Sequence, residues 1–221
     1  MHEVVEKFYR LYYSKVFDSQ NLTSLAAFSY QTTHKKLEKS FSKTTTFEKV
    51  IEIGAGKGEH LKFVKHNFNE YVSSDLIPYE SKQFDHRVRN MNFDAAEIPF
   101  PDKYFDRSLM MCVLHHVTDV YKVLEEIKRV TKRGGVISIF LPHDPMFASR
   151  LNRRIFVTPK TKKLGFTEYE LVNALEHSNH YYSIMIQIKH LFSGDKIQVT
   201  QYPFKIKIPS INLFSIIEIQ T

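Results

Sequence analysis

The chain has 221 residues and a mass of 26.0 kDa, with 43% hydrophobic and 25% charged residues, which supports one folded domain and excludes wholesale disorder. Its apolar runs are a few residues long, where a membrane-spanning helix needs about 20, and its first residues lack the apolar stretch of a secretory signal. The single cysteine, Cys112, excludes an internal disulfide framework and fits a reducing cytoplasm, and the formal charge of +7 is concentrated between Arg150 and Lys163, where six cations stand with no acid.

Apolar side chains at Val4, Val5, Phe8, Leu11, Tyr12, Val16 and Phe17 predict a helix over residues 2–18. A second helix is expected from Gln31 to Phe41, then a linker through residues 43–49. Val50 to Ile53 reads as a buried strand, Glu59 to Phe68 as a helix, and Tyr71 to Asp75 as a second strand. Further strands are expected at Val88 to Asp94 and Asp106 to Val113. A helix follows from Asp119 to Thr131, closed by Gly134-Gly135, and then a fifth strand from Val136 to Leu141. Alternation of strand and helix predicts a mostly parallel α/β sheet with right-handed crossovers. The tail departs from it. Helices at Phe166 to His177 and Tyr182 to Phe192 precede two strands, Lys196 to Tyr202 and Leu213 to Gln220, with no helix between them, so an antiparallel pair is expected at one edge.

The densest chemical signal is Val50-Ile-Glu-Ile-Gly-Ala-Gly-Lys-Gly58, in which three of the seven glycines fall within five residues directly after a strand. Glycine there permits a tight turn and a close approach of ligand to backbone. The spacing is G-x-G-x-G, which is neither the G-x-G-x-x-G of dinucleotide sites nor a P-loop. Asp75 ends the next strand, where a carboxylate can accept from both hydroxyls of a ribose. Asp94-Ala95-Ala96 ends the third, with small residues that leave room for a flat ring.

The run Asp94-Ala-Ala-Glu-Ile-Pro-Phe100, then Phe105-Asp106, then Leu114-His-His-Val117, resembles the type 11 group of class I S-adenosylmethionine-dependent methyltransferases. The likeness covers about residues 49–142. It implies a Rossmann-like, seven-stranded, mostly parallel sheet with an antiparallel last strand. It also implies a helical lid over residues 1–44 and a methyltransferase domain over residues 45–221. By the same resemblance, Gly54, Ala55, Gly56 and Gly58 hold the methionine part of S-adenosylmethionine. Glu52 faces the cofactor's amino group or orders the loop. Asp75 with Leu76 binds the ribose, Asp94 with Ala95 borders the adenine, and the backbone near Cys112 reaches the methionine amine.

For an oxygen acceptor, a histidine is the natural base near neutral pH. His115, His116 and His143 all follow strands at the carboxyl edge where open α/β sheets bind ligands; each has the alternative of packing or capping. Of the eleven histidines, His177 and His180 have H-x-x-H spacing, but without a thiolate set or H-E-x-x-H no metal is expected. The cluster from Arg150, with Arg153 and Arg154, begins just beyond His143 and favours a small or glycan-type acceptor bearing phosphate. By resemblance, the N-terminal helices, including Tyr30 and His34, would lid the pocket. The segments Pro142 to Arg154, Lys162 to Gly165 and Glu176 to His180 are similar to methyltransferases of bacterial surface-polysaccharide clusters. The alternatives are an RNA methyltransferase, disfavoured by the localised charge, and a non-catalytic methyltransferase-like binding protein.

Overall fold

The structure, a computed structural model, describes residues 3–8, 24–78 and 85–221, with backbone alone for residues 24–30. Residues 3–8 are helical, and the remainder of the expected 2–18 helix lies outside the described residues. The strands are β1 (Thr46–Ile53), β2 (Asn67–Asp75), β3 (Val88–Asn92), β4 (Phe105–Met111), β5 (Thr131–Pro142), β6 (Lys196–Tyr202) and β7 (Phe214–Gln220). They form one seven-stranded sheet in the order β3-β2-β1-β4-β5-β7-β6. Every neighbouring pair is parallel except β5 with β7 and β6 with β7. Strands β6 and β7 form an antiparallel pair at one edge, as the helix-free tail predicts, and the reversed β7 slots between β5 and β6.

The central strands are covered on both faces, so their sequences run apolar instead of alternating with polar residues. Successive side chains serve opposite layers. Ile51, Val72, Met110 and Ile139 join one core cluster, while Val50, Tyr71, Leu109 and Phe140 join the other. Over the first face lie helices α2 (Val120–Val130) and, near the C-terminus, Tyr181–Leu191. Helix α2 starts where Asp119 accepts the N–H of Lys122 at 3.0 Å, satisfying one of the free amides of the first turn. Its Val123, Leu124, Ile127 and Val130 are buried, and truncating one such side chain typically costs about 2–5 kcal/mol.

Helix α1 (Ser24–Leu37) begins earlier than its apolar spacing suggests, and β1 takes in much of the expected linker. The helix expected from Glu59 to Phe68 does not form. A single 3-10 turn, Leu61–Phe63, stands there, and Phe68 is already in β2. The turn ends where Val64 leaves the helical region at ψ 127°, and a buried carboxylate crosses the segment. Glu38 accepts from His60 Nε2 at 3.0 Å and from the Lys65 amide at 3.4 Å, so that amide is not available to an intrahelical carbonyl. Gly134-Gly135 does not end a unit either; both residues lie within β5.

The basic stretch is helical: α3 (Phe147–Asn152), a π turn (Arg153–Val157) and α4 (Thr158–Lys163), followed by α5 (Tyr169–Glu176) and α6 (Tyr181–Leu191). Val5 and Phe8 are buried against Phe166 and Val172, next to α5. No helix among the described residues is long and apolar enough to cross a membrane.

Candidate active site

Strand register brings the motif residues to one edge of the sheet. Ile53 pairs with Ser74 on one side and Met110 on the other, and Asp75 pairs with Asn92. The turn at Gly54, the carboxylate of Asp75, the Asp94 turn and Cys112 therefore share the carboxyl edge, where such sheets bind ligands.

Gly54, Gly56 and Gly58 all have positive φ, at 71°, 57° and 78°. At Gly54 the need for glycine is twofold, since a Cβ there would stand 2.4 Å from Val113 Cγ2. The turn is tied down from β2. Asp75 Oδ2 accepts from the Gly56 amide at 2.9 Å, Oδ1 accepts from the Ile77 amide at 3.0 Å, and the Ala55 amide donates to Ser74 O at 2.9 Å. Leu76 beside it is exposed. Asp94 is exposed, with Oδ1 accepting from the Ala96 amide at 2.9 Å, and Ala95 and Ala96 are half-buried next to it. Cys112 is exposed with φ +57° at the end of β4. A bare backbone, a fixed carboxylate and a small-residue turn on one edge fit an adenosyl ligand carrying a methionine.

Glu52 lies beneath the turn. It is buried, its Oε2 accepts from the Tyr71 hydroxyl at 2.6 Å, and burial pushes its carboxyl pKa up. Glu59 Oε2 accepts from the Lys57 amide at 3.0 Å, so Glu59 joins Asp75 in bracing the turn.

The expected bases separate. His143 is fully buried; its Nδ1 donates to Pro209 O at 2.9 Å, and its Nε2 then accepts from Ser215 Oγ at 2.7 Å. Both nitrogens are committed, so His143 cannot take a proton from an acceptor in this arrangement. His115 is buried, and burial holds its pKa well below the usual value. His116 is partly open, with a pKa lowered by burial to about 4. Sequence reasoning missed their neighbour. His177 packs against both, with ring centroids 4.4 Å from His115 and 5.1 Å from His116, and its Nδ1 lies 2.6 Å from Asp144 Oδ2. Its only sequence signal was the spacing to His180, and nothing local pairs it with Asp144.

Asp144 also draws in Arg153, so this arginine is tied to a buried carboxylate instead of facing an acceptor. Burial opposes ionisation of Asp144, but His177 and Arg153 outweigh it and hold the carboxyl well below the usual range. Arg150 and Arg154 are exposed, alongside Phe147, Leu151, Ile155 and Phe156. His34 is buried, stacked on Phe63 and hydrogen-bonded to His60 at 2.9 Å. The side chain of Tyr30 lies outside the described residues.

A sequence profile of the family described as "Methyltransferase domain" matches residues 51–139. The chain is 29% identical over 119 residues to the uncharacterised methyltransferase YcgJ of Bacillus subtilis, a match over 48% of this chain and about half, 47%, of that protein. It is 30% identical over 156 residues to an uncharacterised Methanocaldococcus jannaschii protein, covering 70% of this chain and 68% of that one. Demethylmenaquinone methyltransferase of Tropheryma whipplei is 25% identical over 164 residues, 70% and 69% of the two chains. Among solved structures, a methyltransferase of Thermotoga maritima described as a possible histamine N-methyltransferase superposes with a TM-score of 0.58 at 17% identity, over 98% and 97% of the two chains. The [4+2]-cyclase SpnF gives 0.59 at 13% identity over 92% and 84%, so the fold by itself does not fix the reaction. The family match runs from the strand before the glycine turn to β5 and takes in both strand-end aspartates, and residues 51–139 of the chain form a methyltransferase domain.

Proposed function

We propose that the chain transfers a methyl group from S-adenosylmethionine to the oxygen of a small or glycan-type anionic acceptor. The observation that carries this reading is the convergence of the Gly54 turn and Asp75, locked together through the Gly56 amide. In it the turn from Gly54 to Gly58 takes the methionine part, Asp75 the ribose hydroxyls, and Asp94 with Ala95 the adenine edge. The bound cofactor supplies a sulfonium-activated methyl group open to in-line displacement. The chain's own contribution is alignment of the acceptor and exclusion of water. Residues 1–44 act as a lid on the domain of residues 45–221. Support comes from Val5 and Phe8, which are buried against Phe166 and Val172.

Arg150 and Arg154 are the exposed cations for the acceptor's anionic group, and Phe147, Leu151, Ile155 and Phe156 offer an apolar surface beside them. That pairing favours an acceptor with a phosphate and an apolar portion, such as a lipid-linked glycan. The name of the demethylmenaquinone relative supports a small molecule over RNA.

The test is methyl transfer from labelled cofactor to three pools: nucleotide-sugars, polyprenyl-phosphate glycans and total RNA. Label is expected in an anionic small-molecule or glycan fraction. The R150E/R154E variant should raise the acceptor KM about tenfold or more and leave cofactor affinity unchanged. Label found only in RNA, or turnover indifferent to that variant, would overturn the acceptor assignment.

A further inference from the structure

We propose that His115, His116 and His177 form a binding site for one divalent first-row transition ion, with Zn2+ as the representative. The three rings come from two distant segments. His115 and His116 follow β4, and His177 follows α5. Asn179 clamps the segments together, its side chain donating to Leu114 O at 3.2 Å and Val117 O at 2.6 Å. One ring nitrogen from each histidine lies within 4.8 Å of those of the other two.

The hydrogen bonds fix which atoms are left to bind. His116 Nδ1 donates to the Glu176 carbonyl at 3.1 Å, and His177 Nδ1 donates to Asp144 Oδ2 at 2.6 Å. Both tautomers therefore carry the lone pair on Nε2. A histidine held by a carboxylate or carbonyl through its other nitrogen is the usual outer arrangement of a metal ligand. Asp144 is itself fixed by Arg153 and by Asn173 Nδ2 at 3.2 Å. Independently, His115 Nδ1 is buried with no hydrogen-bond partner among the described residues. A buried nitrogen left without a partner is destabilising, and an ion among the three rings would satisfy it.

Three imidazoles without a carboxylate in the inner set select Zn2+, Co2+, Ni2+ or Cu2+ over Mg2+ and Ca2+. A tetrahedral ion with bonds of about 2.0–2.1 Å draws such nitrogens inward and leaves its fourth position open. Val113, two residues before His115 in the chain, approaches Gly54 of the glycine turn. The binding claim stands on the histidines alone. Its use, activation of an acceptor oxygen at the open position, rests on the proposed methyl transfer.

The experiment strips the full chain with chelator and titrates it with Co2+, then Zn2+, without cofactor or acceptor. One equivalent of Co2+ should give the visible absorption of a four-coordinate ion, and Zn2+ should displace it and raise Tm. H116A and H177Q, with folding verified by circular dichroism, should each weaken binding at least about tenfold, and D144N about 10–100-fold. H180A, at an exposed neighbouring histidine, should leave it unchanged. No four-coordinate spectrum, binding that survives H116A and H177Q, or binding lost with H180A would overturn the site. Cofactor titration of the stripped chain separates this outcome from failure of the methyltransferase reading.

Discussion

Asp75 Oδ2 accepts the backbone N–H of Gly56 at 2.9 Å, across the gap between β2 and the turn that follows β1. The carboxylate proposed to meet a ribose also sets the loop proposed to meet a methionine. D75A should thus lose a charge-assisted contact and loosen the turn together. A hydrogen bond to a charged group is worth about 1.5–3 kcal/mol, or roughly a 10–100-fold loss of S-adenosylmethionine affinity. Calorimetric titration checks it; unchanged affinity would remove Asp75 from the site.

Gly54 faces Val113 at a distance no side chain tolerates, with φ +71°. G54A should destabilise the fold by about 1–3 kcal/mol from backbone strain, and by more from the clash. Adding V113A should recover the clash but not the strain. Urea unfolding of both variants measures the two parts; full recovery in the double variant would mean that the left-handed backbone carries no cost.

Glu38 and Arg107 form a fully buried pair at 2.6 Å, shared with His60. Removing one partner strands the other charge, so E38Q should cost about 3–5 kcal/mol in urea unfolding. An apolar pair, E38L/R107M, should cost less than either single change, and a double-mutant cycle reads the coupling directly.

Burial lowers the pKa of His34 to about 3 and that of His66 to about 4. The unfolded chain binds these protons near pH 6.5. Stability from the neutral rings is therefore complete above pH 6.5 and declines as pH falls toward 4. Glu38 adds to the decline lower down. Burial opposes its ionisation, but Arg107 and His60 hold it at about 2, so its contribution is lost as pH falls from about 4.5 toward 2. Thermal unfolding across pH 8 to 4 should show Tm falling continuously below pH 6.5, where each 1 kcal/mol is roughly 2–4 °C for a chain of this size. A flat profile would mean that these rings are open to water.

Local pattern made the central strands, α2 and the reversed edge pair legible, because each is built from contiguous apolar spacing. The glycine turn and the two strand-end aspartates were legible for the same reason: each sits at the end of a readable strand. Long-range partners were not. Where a helix is expected from Glu59, the Lys65 amide instead meets Glu38, 27 residues earlier. Arg153, counted among the acceptor cations, is taken by Asp144 nine residues earlier. His177 gains its place from Asp144 and Asn179, and no spacing rule reports such a meeting.

The central claim is that the Gly54 turn, Asp75 and Asp94 hold one adenosyl sulfonium. Equilibrium titration of the full chain with S-adenosylmethionine and S-adenosylhomocysteine tests it most directly. Saturable one-to-one binding of both is predicted, abolished in a folded G56V/D75A variant. Absence of saturable binding, or binding that survives that variant, would contradict it.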